Sequence, residues 1–181
     1  GSLALYSASG ITTVVIGTST YALVAAYDDD GIQIIDITDP TSPVATASMR
    51  DSSSLALDAA SDITTVVIGG RTYALVAGFN DDGVQIIDIT DPNRLIPTAS
   101  ITDSSSLALD GPNDITTVEV EGRTYALVAA IGDDGAQIID ITDPTNPIAT
   151  ASIMDSSSLA LDAPRSITAV VINGKNYVLT A

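Results

Sequence analysis

Thr72-Tyr73-Ala74-Leu75-Val76-Ala77 is followed, across the polar turn Asn80-Asp81-Asp82-Gly83, by Val84-Gln85-Ile86-Ile87-Asp88-Ile89-Thr90-Asp91-Pro92. Two short apolar, β-branched runs separated by an Asp/Gly turn read as neighbouring antiparallel strands. Just upstream, Ile63-Thr64-Thr65-Val66-Val67-Ile68 stops at Gly69-Gly70, a hairpin signal. Downstream, Pro97 to Thr102 reads as a weaker fourth strand, closed by Asp103 and a serine triplet, and a connector of about ten residues (Ser104 to Asn113) follows. These four segments are strands A, B, C and D. Strands A to C are apolar on both faces, which predicts small sheets covered on both sides.

The same four segments recur. Ser-Leu-Ala-Leu begins at Ser2, Ser54, Ser106 and Ser158, and Tyr21, Tyr73, Tyr125 and Tyr177 keep the same 52-residue phase. Three whole units result (2–53, 54–105 and 106–157), followed by 158–181, which carries strands A and B only. Self-similar units of four short strands with tight turns predict an all-β fold of radial β-propeller blades. An immunoglobulin-like array needs about 100 residues per module, roughly twice what each unit offers.

Composition narrows the function. The formal net charge of −17 repels phosphate backbones and anionic lipid, so neither nucleic acid nor membrane insertion is expected. No apolar run approaches the roughly 18 residues of a spanning helix. Cysteine and histidine are absent, which removes disulfides, the commonest general base and the commonest zinc ligand.

The strand pair Tyr73-Ala74-Leu75-Val76-Ala77 and Asp82-Gly83-Val84-Gln85-Ile86-Ile87-Asp88-Ile89-Thr90-Asp91-Pro92 resembles the LVIVD-type repeat. That resemblance implies β-propellers of bacteria and archaea, often secreted or surface-attached, with no single shared activity. The connector carrying Ser-Leu-Ala-Leu-Asp is longer than the family's usual pattern.

A propeller closes with about four to eight blades. Three blades and two strands of a fourth form an arc, and the last B strand, around Asn176 to Thr180, leaves one edge of backbone donors and acceptors open. The expectation is self-association into a homo-oligomer, a dimer in its simplest form, with ring size open. The alternative is an excerpt of a longer repeat protein or an engineered fragment, with Gly1-Ser2 as an expression scar. Tyr6 and Gly10, standing where later units have Asp58, Asp110 and Asp162 and where they have Asp62 and Asp114, read as an atypical terminal repeat or as drift.

Of the 21 aspartates, most fall in B–C turns and D–A connectors, Asp62 and Asp114 being counted with the connectors, and these are predicted to share one face. Asp28, Asp29, Asp30, Asp81, Asp82, Asp133 and Asp134 form a candidate Ca²⁺ set, since that ion takes oxygen ligands. Against it, Asp-Asp-Gly suits a tight turn, and the spacing fails the EF-hand pattern, so turn chemistry is the preferred account and no cofactor other than calcium is foreseen. Asp39-Pro40, Asp91-Pro92 and Asp143-Pro144 read as turn starters. Asp36, Asp88 and Asp140 interrupt an apolar strand and are expected to accept hydrogen bonds from neighbouring turns. The serine triplets have no histidine to activate them, so no catalytic residue is assigned.

Together these features predict a non-enzymatic binding or assembly module, extracellular or on the cell surface. The rival reading is a carbohydrate-active hydrolase or lyase using Asp pairs. A single pocket holding one carboxylate of raised pKa would favour that rival.

Overall fold

The computed structural model describes residues 3–181; Gly1 and Ser2, including the scar reading and the first residue of the first unit, lie outside the described residues. Fourteen strands form three four-stranded antiparallel sheets and one two-stranded sheet, with no helix among the described residues. The first sheet comprises β1 (Ala8–Ile16), β2 (Ser19–Ala26), β3 (Gly31–Asp36) and β4 (Val44–Arg50). The second comprises β5 (Ala60–Ile68), β6 (Arg71–Gly78), β7 (Gly83–Asp88) and β8 (Ile96–Thr102). The third comprises β9 (Pro112–Val120), β10 (Arg123–Ala130), β11 (Gly135–Asp140) and β12 (Ile148–Met154). A hairpin of β13 (Ile167–Ile172) and β14 (Lys175–Thr180) ends the arc. Each complete sheet keeps its strands in chain order, the up-and-down meander of a blade.

The A strands stand innermost. β1 lies against β5, β5 against β9 and β9 against β13, whereas the D strands β4, β8 and β12 are largely exposed. The B and C strands between them are buried on both faces, as expected from their continuous apolar runs. Strand A departs from that expectation: most of its residues are half-buried or exposed, with clear alternation in β1 only.

Packing runs from blade to blade. Tyr21, Leu23, Ile32 and Ile34 of the first sheet meet Leu57, Ile63, Ile87 and Ile89 of the second. Tyr73, Leu75, Val84 and Ile86 of the second meet Leu109, Ile115, Ile139 and Ile141 of the third by the same rule. Each fully buried Leu or Ile contributes about 1.5–3 kcal/mol. The connector leucines Leu57 and Leu109 belong to these layers, so Ser-Leu-Ala-Leu acts as a wedge between blades.

A recurring glutamine secures the wedge. Gln33, Gln85 and Gln137 are buried in strand C. Gln85 accepts from the Ala56 N–H at 3.1 Å and donates to the carbonyls of Ile86 and Ala99 at 3.1 and 2.8 Å. Gln33 and Gln137 repeat the pattern at Ala4 and Ala108. Each sits beside the bulge that shifts register between strands C and D, where the ladder itself is interrupted.

Candidate functional site

The acidic turns come first. In each B–C turn the last aspartate (Asp30, Asp82, Asp134) has a φ of 48–49°, a left-handed position that Asp tolerates. Its carboxylate accepts from the next unit's connector: Asp30 from Ala59 N–H at 3.0 Å, Asp82 from Gly111 at 3.0 Å and Asp134 from Ala163 at 2.8 Å. The preceding aspartate accepts from its own unit's connector, Asp29 from Tyr6 at 2.8 Å, and Asp81 and Asp133 from Asp58 and Asp110 at 2.9 Å each. Arg50 adds an ion pair to Asp29, and these contacts hold the Asp29 carboxyl below its ordinary pKa, with the Tyr6 N–H as the largest cause. Asp28 accepts from the Ser7 hydroxyl. The candidate calcium residues thus take part in clasps between turn and connector. Among the described residues no three acidic side chains converge as a metal cluster.

The strand-interrupting aspartates behave as local anchors. Asp36, Asp88 and Asp140 accept from the N–H groups of Thr38, Thr90 and Thr142 at 2.8, 2.9 and 2.9 Å. Asp88 and Asp140 are buried and each also meets an arginine, Arg71 and Arg123, that opens strand B of the same sheet. The sequence reading did not single out those arginines; in the first sheet the same position is Ser19. Asp39, Asp91 and Asp143 each accept from the N–H two residues on, the Asx-turn expected of them. Glu119 and Glu121 are exposed near the A–B turn.

Asp62 and Asp114 depart from their expected place. They lie on the inner strands β5 and β9, not in connectors. With Ser9, Tyr27, Ser61, Asn113 and Arg165 they line a polar axial pocket of about 330 Å³. Repeat symmetry breaks here, since Gly10 occupies the position of Asp62 and Asp114 in the first unit. Burial, then contact with the Asp114 carboxyl, pushes the Asp62 carboxyl up to about 7. Most polar groups of the pocket stitch the inner strands together. Asp62 accepts from Ile115 N–H at 3.1 Å and Asp114 from Ile167 N–H at 2.8 Å. Ser9 and Ser61 donate to the carbonyls of Ala60 and Pro112 at 2.7 Å each, and Asn113 donates to that of Arg165 at 2.8 Å.

The open end of the arc offers a different surface. A groove of about 360 Å³ runs between the third sheet and the β13–β14 hairpin, lined by Tyr125, Leu127, Ile138, Tyr177 and Val178 among others. Tyr177 is 45% exposed, whereas its counterpart Tyr73 is 6% exposed. Ile138 is only partly buried, while its counterparts Ile34 and Ile86 are fully so. The difference has one cause: in the complete blades a C strand covers this region.

The LVIVD repeat family matches residues 14–51 and 115–155. The middle unit, not matched, shows the same strand order and register as the two that are. No curated protein matches the sequence. An exo-β-1,3-galactanase from Clostridium thermocellum is similar in structure, with a TM-score of 0.61 and 11% identity over 94% of this chain and 40% of that one. The exo-β-1,3-galactanase of Phanerochaete chrysosporium gives a TM-score of 0.63 and 10% identity over 100% and 46% of the two chains. A protein from Lactobacillus plantarum gives 0.57 and 15% over 88% and 47%. The chain thus spans less than half the length of these structures, and likeness at such identity speaks for the fold alone. The blade topology, the 52-residue phase and the two matched segments agree: this chain carries LVIVD repeats at two places and is arranged as three β-propeller blades and one hairpin of a fourth.

Proposed function

We propose that the chain is a non-enzymatic β-propeller module for binding and assembly, acting outside the cell or at its surface and associating with itself through the open end of the arc. The observation that carries this reading is the uncovered β14 edge beside the apolar groove, because exposed strand edges pair readily with other chains. The location rests on the family resemblance. Sedimentation equilibrium tests the assembly: association to multiples of the 18.4 kDa chain is the expected result, and a single-chain mass at every concentration overturns it.

The raised carboxyl of Asp62 in a pocket favours a second reading, glycoside hydrolysis, the activity named for two of the similar structures. Against that reading, hydrolysis places its two carboxyl groups about 5–10 Å apart, on either side of the bond to be cut. Asp62 and Asp114 instead each accept a backbone N–H of the following blade, and the Asp114 carboxyl is itself a hydrogen-bonding cause of the raised Asp62 pKa. Sugar release from β-1,3-galactan, abolished by Asp62→Asn, would replace the assembly reading with the hydrolytic one.

A further inference from the structure

We propose that the polar pocket on the axis is a binding site for a single neutral sugar ring. The inference rests on the binding part of the reading above, names the ligand class and does not depend on self-association. Four successive units build the pocket, with Ser9 on β1, Asp62 on β5, Asn113 and Asp114 on β9, and Arg165 just before β13, while Tyr27 follows β2. None of these residues belongs to β14 or to the groove beside it. A volume of about 330 Å³ lies at the small end for ligand pockets and suits one ring rather than a chain of them.

The lining departs from the repeat. At the phase of Ser9 the later units carry Ser61, Asn113 and Arg165, and at that of Tyr27 they carry Phe79 and Ile131. At the phase of Gly10 they carry Asp62, Asp114 and Ser166. The Ile-Thr step that follows is the same in all four units. Positions that line one pocket thus differ from blade to blade, which gives the pocket a direction that a symmetric rim lacks. Gly10 also makes room: a Cβ there would run into Asp62 Oδ1 and stand 2.7 Å from Asp62 Cα.

Part of the lining is committed to the backbone, and this holds the rest in place. Asp62 Oδ2 and Asp114 Oδ2 accept from the Ile115 and Ile167 N–H groups, and Asn113 Nδ2 donates to the Arg165 carbonyl. Each carboxyl keeps its other oxygen. Among the described residues no hydrogen bond takes up the Asn113 amide oxygen, the Tyr27 hydroxyl or the Arg165 guanidinium. Donors and acceptors are therefore both on offer, a pattern that hydroxyl groups match because each gives one hydrogen bond and accepts two. Tyr27 adds an aromatic ring for the apolar C–H side of a sugar, steadied by Phe79 at 6.0 Å between centroids. Charge points the same way. Below about pH 7 the two carboxyls keep one proton between them, and Arg165 matches their single negative charge. A balanced pocket in a chain of formal charge −17 favours a neutral ligand over a cation or an anion.

The test is a titration of the isotope-labelled full chain with galactose, glucose and xylose, followed by amide NMR, with methylammonium and acetate as charged counterparts. Expected is saturable binding of at least one sugar in the millimolar range, with shifts at Tyr27, Asp62 and Asp114 and weaker binding of both ions. Arg165→Gln, at an exposed position, and Tyr27→Leu should each weaken binding about tenfold. Glu121→Gln, exposed near the A–B turn, should bind as the parent does. Melting curves check that the variants fold, and Arg165→Gln carries the test should Tyr27→Leu fail to fold. No binding of any of the three sugars, shifts confined to other regions, parental binding by Arg165→Gln, or preference for either ion overturns the inference. Sugar binding by a chain that stays monomeric keeps this inference and ends self-assembly, and association without sugar binding does the reverse.

Discussion

Asp62 and Asp114, one repeat apart in the chain, line the same polar pocket, and the Asp114 carboxyl adds to burial in raising the pKa of the Asp62 carboxyl. The two sit on the innermost strands of the second and third blades, where each carboxyl accepts from the backbone of the following blade. Two carboxylates that share a pocket resist a second negative charge, and partial burial strengthens the resistance.

Stability should therefore depend on pH in a defined window. Folding raises the Asp62 pKa from 3.8 to about 7, so the native state retains a proton that the unfolded chain releases. The stabilisation is complete below the unfolded value and is lost as pH rises through about 7. Asp51 and Asp110, also raised chiefly by burial, act with the same sign. The melting temperature should rise as pH falls from 8 toward 5. Asp62→Asn should be more stable than the parent at pH 8, and the gap should narrow in acid. A gap constant across that range contradicts the pairing.

Gln85 should be among the most sensitive polar positions. Gln85→Ala leaves the Ala56 N–H and the Ile86 and Ala99 carbonyls without their partner, and a buried unsatisfied group costs about 1–3 kcal/mol. Chemical denaturation should show a loss in the upper part of that range. Gln85→Glu should lose more at neutral pH, because a carboxylate would face two carbonyl oxygens. A loss below the surface-substitution range of about 0.5 kcal/mol contradicts the wedge role of the connector.

At Asp82 the clasp and the ion make opposite predictions. Asp82→Asn keeps both an acceptor for Gly111 and tolerance of the left-handed backbone, so it should match the parent closely. Asp82→Ala should lose about 1–2 kcal/mol. The melting temperature of the parent should be the same in chelator and in millimolar calcium. A calcium-dependent rise that Asp82→Asn removes would place an ion at the turn.

Gly83 opens strand C where strand D passes close. A Cβ there would stand 2.8 Å from the Ile101 carbonyl oxygen and 2.9 Å from Thr102 Cγ2. The carbonyl cannot move without shifting the C–D pairing, so Gly83→Ala should cost about 1–3 kcal/mol in denaturant unfolding. An unchanged midpoint contradicts the close approach.

Much of the fold was legible because every apolar run is repeated in phase and bounded by Gly, Asp or Pro. The roles of individual polar residues were harder to see. Asp62 reads as connector because Ala60-Ser61-Asp62 is small and polar, yet these residues pair with β6 through a bulge. Gln33, Gln85 and Gln137 held a constant phase inside an apolar strand, the same signal that marked Asp88, and could have been singled out on that ground. Arg71 and Arg123 carried a weaker signal, since Ser19 breaks their series. The Asp-Asp-Gly turns were recognisable as turns, but their partners lie 23 and 29 residues away, a pairing that only the folded blades bring together.

Amide hydrogen exchange of β14 across a concentration series tests the account most directly. In dilute solution the amides of Val178 and Thr180 should exchange rapidly while those of Ala74 and Val76, their counterparts in a complete blade, stay protected. As concentration rises and chains associate, protection should spread to Val178 and Thr180. Slow exchange at Val178 and Thr180 in a dilute single chain, or association that leaves them fast, would contradict an open and recruiting edge.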